Sequence, residues 1–266
     1  MSSVASAQWI YVRTEGIPRT ADDKVDTKAP APRTADGKPD FSGLWWPGGE
    51  QQACGPDCPE AGLGTEPLDE IGLILRGLDI GYGMEGGLPY QPWAKKLVEQ
   101  RVERAGLDDP HVQCLPSNPP RIYTLPHLTR IIQTPKSLTF LNEFNASYRQ
   151  IFLDGRELPE DPNPSWNGYS VGHWEDDTLV IETIGFRDDL WLDMKGDPLT
   201  NAGKLTERLT RPNFGSLQIE VTVDDPEAYT KPFTAPLAMN FVPDTEMIDE
   251  VCLEGESDFE HMKDLK

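Results

Sequence analysis

Long apolar runs are missing from this sequence. No stretch of about 18 apolar residues occurs, which by the usual length rule excludes a transmembrane helix. The first eight residues, MSSVASAQ, lack the basic start and apolar middle of a signal peptide, although Ala5-Ser6-Ala7 resembles a small-residue cleavage site. We therefore expect a cytoplasmic protein, with the periplasm as the alternative if a signal peptide has been removed.

Basic charge is scarce as well. The 24 lysines and arginines stand against 45 aspartates and glutamates, which gives a formal net charge of −21. Nucleic acids and anionic membranes are bound through a basic face, so we expect neither as a partner of this acidic protein.

Motifs that hold phosphates, nucleotides or metals are absent. The sequence has no P-loop, no G-x-G-x-x-G, no G-x-S-x-G, no H-E-x-x-H and no D-x-D-x-D-G loop. Only four histidines occur, at spacings that do not suit one metal: His111, His127, His173 and His261. We therefore expect no metal and no organic cofactor.

Cysteine is also rare, with four in the chain. Cys54 and Cys58 do not have the C-x-x-C spacing of a zinc ribbon, and no second pair matches them. A local disulfide between these two, or free thiols, is the expectation from spacing. The even count leaves a periplasmic origin open.

Glycine and proline are abundant, at 23 and 25 residues, which indicates many turns and extended connections. Residues 1–39 are rich in proline and charge and contain one motif twice, PRTADDK at 18–24 and PRTADGK at 32–38. We predict an extended N-terminal arm over 1–39, lying on the domain or on a neighbouring subunit, and a single β-barrel domain over 40–266.

Two helices are predicted within an insertion around residues 66–106. The first covers 67–78, where leucine and isoleucine recur at helical spacing. The second begins near Pro92 and ends before Gly106, with an apolar stripe formed by Trp93, Leu97, Val98 and Val102.

Short segments rich in β-formers dominate the rest of the chain. They include residues 40–46, 129–133, 137–142, 148–153, 205–210, 217–224, 235–241 and 250–253. Strands and helices do not alternate, so a parallel α/β sheet is not expected. We predict a mainly β protein, an antiparallel up-and-down (lipocalin-like) barrel with one or two peripheral helices, because closure removes exposed strand edges. Gly43-Leu44-Trp45 is typical of the first strand of a lipocalin.

A central hairpin is predicted over residues 167–186, NGYSVGHWEDDTLVIETIGF. A two-residue loop at Asp176-Asp177 pairs His173 with Val180 and places Tyr169, His173 and Glu182 on one face. A three-residue loop that includes Glu175 pairs His173 with Leu179 and moves Glu182 to the opposite face. In the first register these side chains could carry out acid–base chemistry.

Two further polar clusters are candidate sites. Arg121, Tyr123 and His127 lie close together in PPRIYTLPHLTR, on a proline-rich loop that could line the barrel mouth. Arg149 interrupts an apolar strand, so it either faces outward or pairs with a carboxylate such as Glu143 or Glu182. A buried pair of that kind would itself be a candidate site.

Several segments together resemble a large, mostly uncharacterised bacterial family. They are residues 32–45 (PRTADGKPDFSGLW), 148–156 (YRQIFLDGR), 161–164 (DPNP), 168–183, 224–232 and Val251-Cys252. The chain differs from the family pattern at His173, where arginine is commoner, and in residues 47–90, which look lengthened. The resemblance implies export for many members, a disulfide between Cys114 and Cys252, and for some relatives cofactor-free lyase or decarboxylase chemistry on lignin-derived aromatics.

We therefore predict a cofactor-independent lyase for a small phenolic compound, acting by C–C cleavage or elimination such as decarboxylation or formaldehyde release. The alternative is a non-catalytic, lipocalin-like binder of a small apolar ligand, and a third option is an assembly protein. A homo-oligomer formed through the arm is expected. The predicted catalytic residues are Tyr169, His173, Glu182, Arg149 and Tyr123, and the predicted substrate-binding residues are Arg121, His127, Trp174, Trp191 and Glu143.

Overall fold

A computed structural model describes residues 12–48 and 77–255. Most of the predicted helix over 67–78, as well as Cys54 and Cys58, lies outside these residues. The strands are β1 (Gly43–Pro47), β2 (Thr129–Thr134), β3 (Ser137–Asn142), β4 (Ser147–Phe152), β5 (Tyr169–Glu175), β6 (Thr178–Ile184), β7 (Leu190–Trp191), β8 (Pro198–Leu199), β9 (Lys204–Thr210), β10 (Ser216–Asp224) and β11 (Phe233–Phe241). The helices are α1 (Pro92–Glu103), a 3₁₀ helix (Arg121–Tyr123) and α2 (Cys252–Gly255).

Nine of these strands form a closed barrel in the order β1-β11-β10-β9-β6-β5-β4-β3-β2, with β1 pairing to both β11 and β2. The prediction of a closed, lipocalin-like β-barrel is confirmed. Closure pairs the backbone of every barrel strand on both sides, so the barrel itself leaves no strand edge exposed.

The barrel departs from simple up-and-down order at one place. Strands β4 and β5 are parallel, whereas all other neighbouring pairs in the barrel are antiparallel. The cause is the long loop over residues 153–168, which carries the chain back along the barrel before β5 begins. The chain between β6 and β9 forms a separate two-stranded ribbon, β7–β8, outside the barrel sheet. This ribbon is not predicted from the sequence.

The barrel wall alternates inward apolar and outward polar residues on β9, β10 and β11. Strand β10, for example, has the burial pattern of a half-buried strand, with Leu217, Ile219, Val221 and Val223 inside. At one end Arg211 lies over the ring of Trp45, 4.7 Å from its centroid, and Phe41 stacks on Trp174 at 5.5 Å. The Gly-x-Trp segment therefore closes this end.

The hairpin β5–β6 has the two-residue loop. His173 pairs with Val180 and Val171 with Glu182, and the loop residue Asp176 adopts a positive φ of 51°. Asp and Asn tolerate this left-handed conformation better than most residues, which explains why the acidic dipeptide fixes the register.

The described part of the arm lies on its own barrel. Each copy of the repeated motif folds into the same turn, with bridges between Arg19 and Val25 and between Arg33 and Pro39. The arginine of each copy then pairs with an aspartate of the barrel domain. Arg19 meets Asp244 at 2.7 Å, and Arg33 meets Asp177 at 2.6 Å.

Two local predictions are wrong. Helix α1 exists and buries Val98 as predicted, together with Ala94, but Trp93 and Val102 are 46% and 56% exposed, so these two residues do not belong to its buried stripe. Residues 250–253 are not a strand. Glu250 makes a single β-bridge to Phe144, and α2 begins at Cys252. Cys252 is held by its disulfide to Cys114 and by a hydrogen bond from its backbone N–H to Asn145 Oδ1, so the chain leaves the barrel rim here.

Candidate functional site

The barrel interior contains a buried ionic cluster. Arg149 from β4 forms a two-pronged ion pair with Glu207 from β9, and both side chains are at most 1% exposed. Tyr123 from the 3₁₀ helix donates a hydrogen bond of 2.7 Å to Glu207 Oε1, and its hydroxyl lies 2.6 Å from Arg149 Nη1. Three ionisable groups therefore meet at one point inside an otherwise apolar barrel.

Two hydroxyls complete the surroundings of the guanidinium. Arg149 Nη2 donates to Thr183 Oγ1 at 2.9 Å and to Ser170 Oγ at 3.2 Å. Its Nε is buried and has no hydrogen-bond partner in the described part of the chain. A buried N–H group without an acceptor costs free energy. A bound molecule that placed an acceptor at Nε would remove this cost, so Nε is the most favourable contact point for a ligand.

The sequence makes room for Arg149 on the strands that face it. On β5 and β6 the inward positions near the guanidinium hold Ser170, Gly172 and Thr183. A Cβ at Gly172 would lie 2.8 Å from Leu153 Cδ2, so this wall is already closely packed. Small and hydroxylated residues face inward here because a long charged side chain fills the space.

The electrostatic surroundings give Tyr123 and Arg149 different roles. Burial raises the pKa of Tyr123 well above the usual value for a phenol, so its hydroxyl keeps its proton. Burial alone would lower the Arg149 pKa, but the charge of Glu207 outweighs it and the pKa is raised. Tyr123 is thus a proton donor and Arg149 a permanent cation.

The 3₁₀ helix covers the cluster at one end of the barrel, and we call this segment, Arg121–Tyr123, the stopper. Arg121 fixes this segment by two hydrogen bonds of 2.6 Å to Asp109, with both side chains buried. A cavity of about 10 Å³ lies along the seam between the stopper and the barrel rim. It is lined by Ser117, Ile122, Leu125, His127, Thr129, Asn142, Phe144 and Ser147. This volume suits about one water molecule.

Three predicted catalytic residues lie on the outside of the barrel. Tyr169, His173 and Glu182 do share one face, but it is the outer one, and the His173 side chain is 54% exposed. Glu182 pairs with Lys204, and Tyr169 accepts a hydrogen bond of 3.1 Å from Arg156. The structure does not bring them together with Arg149, whose partner is Glu207 rather than the predicted Glu143 or Glu182.

The predicted residues near the mouth have structural contacts. Glu143 is buried, and its carboxylate accepts hydrogen bonds from the backbone N–H groups of Leu128 and Ile248. His127 contacts Glu250 at 2.9 Å and lines the small cavity. Glu143 and His127 therefore tie the segment before α2 to the rim of the barrel, and of the predicted residues only Tyr123 reaches the cluster from this end.

The two predicted stacking residues lie in different places. Trp174 faces inward at the barrel end that the Gly-x-Trp segment closes, where it packs on Phe41. Trp191 is buried in the β7–β8 ribbon, with the Arg101 guanidinium 4.5 Å from its ring centroid. Neither is among the residues that contact the Arg149 cluster in the described chain.

The sequence contained a signal for the missed residue Glu207. In Leu205-Thr206-Glu207-Arg208-Leu209 the alternation places Glu207 on the same face as two leucines. A carboxylate on the apolar face of a strand calls for a cationic partner, as Arg149 does on β4. Glu207 and Arg149 are each a charged residue at an apolar position of a strand, and matching them with each other predicts the ion pair.

Groups that could hold a metal are few in the described chain. The rings of His111 and His127 lie 6.0 Å apart, with Phe144 packed against both, and His173 is on the outer surface. One set of three carboxylates converges, formed by Asp79, Asp193 and Asp197.

Comparisons with known proteins give no relative for this chain. No protein-family model matches it, and neither a curated protein nor a solved structure does. Among the described residues no helix has the length and apolar character needed to cross a membrane.

Proposed function

We propose that this protein is a cofactor-independent lyase for a small phenolic compound, and that Tyr123, Arg149 and Glu207 form its site. The observation that supports the proposal is the convergence of three ionisable side chains inside the barrel. A barrel that only stores an apolar molecule gains nothing from a buried ion pair, which has to repay a large desolvation penalty.

The three groups match what C–C cleavage beside a phenol requires. Arg149 holds the anionic group of the substrate, with its unpartnered Nε as the free donor. Glu207 accepts the phenolic proton, and the electron pair of the O–H bond shifts through the conjugated system to the carbon that bears the carboxylate, which takes a proton from Tyr123. The C–C bond then breaks, CO₂ departs, and the bonding pair returns through the conjugated system to the phenolic oxygen, which regains the proton held by Glu207. The Tyr123 phenolate takes a proton from water, so the reaction consumes one proton in all.

Entry of a substrate requires the stopper to move. The cavity of about 10 Å³ beside it cannot admit an aromatic ring. The proposal therefore includes withdrawal of the segment Arg121–Tyr123 when substrate binds, and its return to place Tyr123 over the reacting carbon.

The test is a panel of hydroxycinnamates and lignin-derived phenolic dimers, incubated with the protein and followed by mass spectrometry. Tyr123→Phe removes the donor without changing the shape of the ring, and we expect turnover to fall by about 10²- to 10⁴-fold. Tyr229→Phe is the matched control, because this buried tyrosine donates only to the Pro198 carbonyl, at 2.8 Å. It should retain activity within a few fold.

The competing function is a non-catalytic binder of a small apolar ligand. Its support is the apolar lining of the rest of the barrel, as on β10 and β11. If no compound of the panel is consumed while one of them binds tightly, the lyase proposal fails and the binder is correct. His173→Ala should leave turnover unchanged, since that side chain faces solvent.

Compartment and assembly are part of the proposal. The Cys114–Cys252 disulfide favours the periplasmic alternative over a cytoplasmic location, because disulfides persist in oxidising compartments. Thiol labelling of the protein in its native cells, with both cysteines reactive, would argue for the cytoplasm. The homo-oligomer formed through the arm stays a prediction, which sedimentation of the full chain tests.

A further inference from the structure

Three carboxylates converge outside the barrel wall. Asp193 and Asp197 lie in the turn between β7 and β8, and Asp79 comes from the segment just before Ile80. One oxygen from each lies within 4.8 Å of the others. This set, which we call the aspartate triad, takes no part in the proposed lyase site.

The aspartate triad has a buried floor and an open side. Asp193 and Asp197 are 0% exposed, whereas the Asp79 side chain is 33% exposed. Lys195, which pairs with Asp79 at 2.8 Å, is 30% exposed. An ion and its water molecules could therefore reach the carboxylates from the side that Asp79 and Lys195 occupy.

The hydrogen bonds leave one buried oxygen unused. Backbone N–H groups of Ile80, Gly196 and Asp197 donate to Asp193, and the Tyr90 hydroxyl donates to Asp197 Oδ1 at 2.5 Å. Asp197 Oδ2 is buried and has no hydrogen-bond partner in the described chain. A buried carboxylate oxygen without a donor is stabilised by a proton or a cation beside it.

Charge in this region is also unbalanced. Three carboxylates face one ammonium, that of Lys195.

We propose that the aspartate triad binds a divalent cation, with Ca²⁺ as the ion that fits best. The donors are all hard oxygens, which suit Ca²⁺ or Mg²⁺ rather than softer metals. Asp193 Oδ1 accepts two N–H groups, but Asp193 Oδ2 accepts one and keeps a second lone pair, and Asp197 Oδ2 keeps both. Water on the open side would complete the shell of about six to eight oxygens that Ca²⁺ takes.

Lys195 gives this site a built-in competitor. Its ammonium occupies the open side and supplies part of the positive charge that the aspartates need. Binding of Ca²⁺ moves this flexible side chain outward, because two cations repel each other at such distances. The affinity of the site is therefore set by the aspartates and reduced by the lysine.

The test uses the full protein after treatment with a chelator, with calcium titrated by calorimetry and by thermal unfolding. Sodium chloride at matched ionic strength controls for screening, since the chain carries a charge of −21. We expect saturable binding of about one Ca²⁺ per chain and a rise in Tm that sodium does not produce. Magnesium should bind more weakly.

Variants distinguish the triad from general acidity. Asp197→Asn should abolish saturable binding, while Glu160→Gln, which removes the same charge from an exposed position, should not. Lys195→Met should tighten Ca²⁺ binding by about tenfold or more, and it serves as the second variant if Asp197→Asn does not fold. Wild-type protein that responds to Ca²⁺ no more than to sodium would overturn the proposal and leave a proton shared by Asp193 and Asp197. Equal affinities of the wild type and Lys195→Met would also overturn it.

Discussion

The buried pair Arg149–Glu207 allows a sharp energetic prediction. Glu207→Leu leaves the guanidinium without its counter-charge, and Arg149→Met leaves the carboxylate with only the Tyr123 hydroxyl. Each single substitution should lower the free energy of unfolding by about 3–5 kcal/mol, the usual penalty for an uncompensated buried charge.

The double variant Arg149→Met/Glu207→Leu should recover most of that loss. Ser170 and Thr183 still bond to each other at 2.9 Å, so the chief remaining defect is the unpaired Tyr123 hydroxyl. That defect costs about 1–3 kcal/mol. The sum of the singles then exceeds the double by at least about 3 kcal/mol, which is the coupling energy of the pair.

Urea unfolding of the four proteins measures this cycle. The pair Lys204–Glu182 on the outer barrel surface supplies a matched control, because both side chains are partly exposed. Its coupling should be below about 1 kcal/mol. If the double variant in the barrel interior costs as much as the two singles added together, the side chains do not form a buried pair and the proposed site loses its basis.

Three further predictions concern other parts of the fold. Burial and, after it, the charge of Arg121 together lower the pKa of His111 to about 4, so His111 stays neutral in the fold while it gains a proton near pH 6.5 when unfolded. Stability should therefore fall as the pH drops from about 6.5 to 4, by up to about 2 kcal/mol more than in His111→Gln, as urea midpoints across that range would measure. Gly168→Ala should cost at least about 2 kcal/mol in the same assay, because φ is +64° and a Cβ would lie 2.7 Å from the Ile184 carbonyl, whereas Gly155→Ala at open space should cost about half as much. Arg19→Ala should lower the free energy of unfolding more than Arg33→Ala, because the ion pair of Arg19 is mostly buried and that of Arg33 is exposed. Equal losses in the urea assay would show that burial does not determine how much these two ion pairs stabilise the protein.

Much of the fold follows from local sequence. The strands of the barrel alternate in their residues, and the acidic dipeptide Asp176-Asp177 determines the hairpin register because it accepts a positive φ. The repeated arm motif folds into the same turn twice. These features are set by neighbours in the chain, and the sequence predicts the strands; it leaves two hairpin registers open, however, and does not predict the turn of the arm motif.

The candidate site could not be located in the same way. On β5 and β6 the inward face holds Ser170, Gly172 and Thr183, while the outward face holds the buried valines Val171 and Val180. Next to Arg149 the outward residues are therefore the more apolar ones, although Leu179 and Ile181 further along β6 face inward and are fully buried, so periodicity alone does not identify the interior on these two strands. The partner of Arg149 and the aspartate triad join segments that are distant in sequence, where no spacing rule applies.

The position of Tyr123 has a consequence for the order of events at the site. The barrel strands supply Arg149 and Glu207, but the third member of the cluster belongs to the stopper that seals the barrel. Any motion that admits a molecule removes the phenol from its partners, and any motion that restores the phenol shuts the way out. An open barrel thus holds a bare ion pair, and the complete proton-transfer set exists only in the sealed state. In the proposed lyase, opening and chemistry therefore exclude each other in time, and the rate of stopper motion sets an upper limit on the rate of turnover.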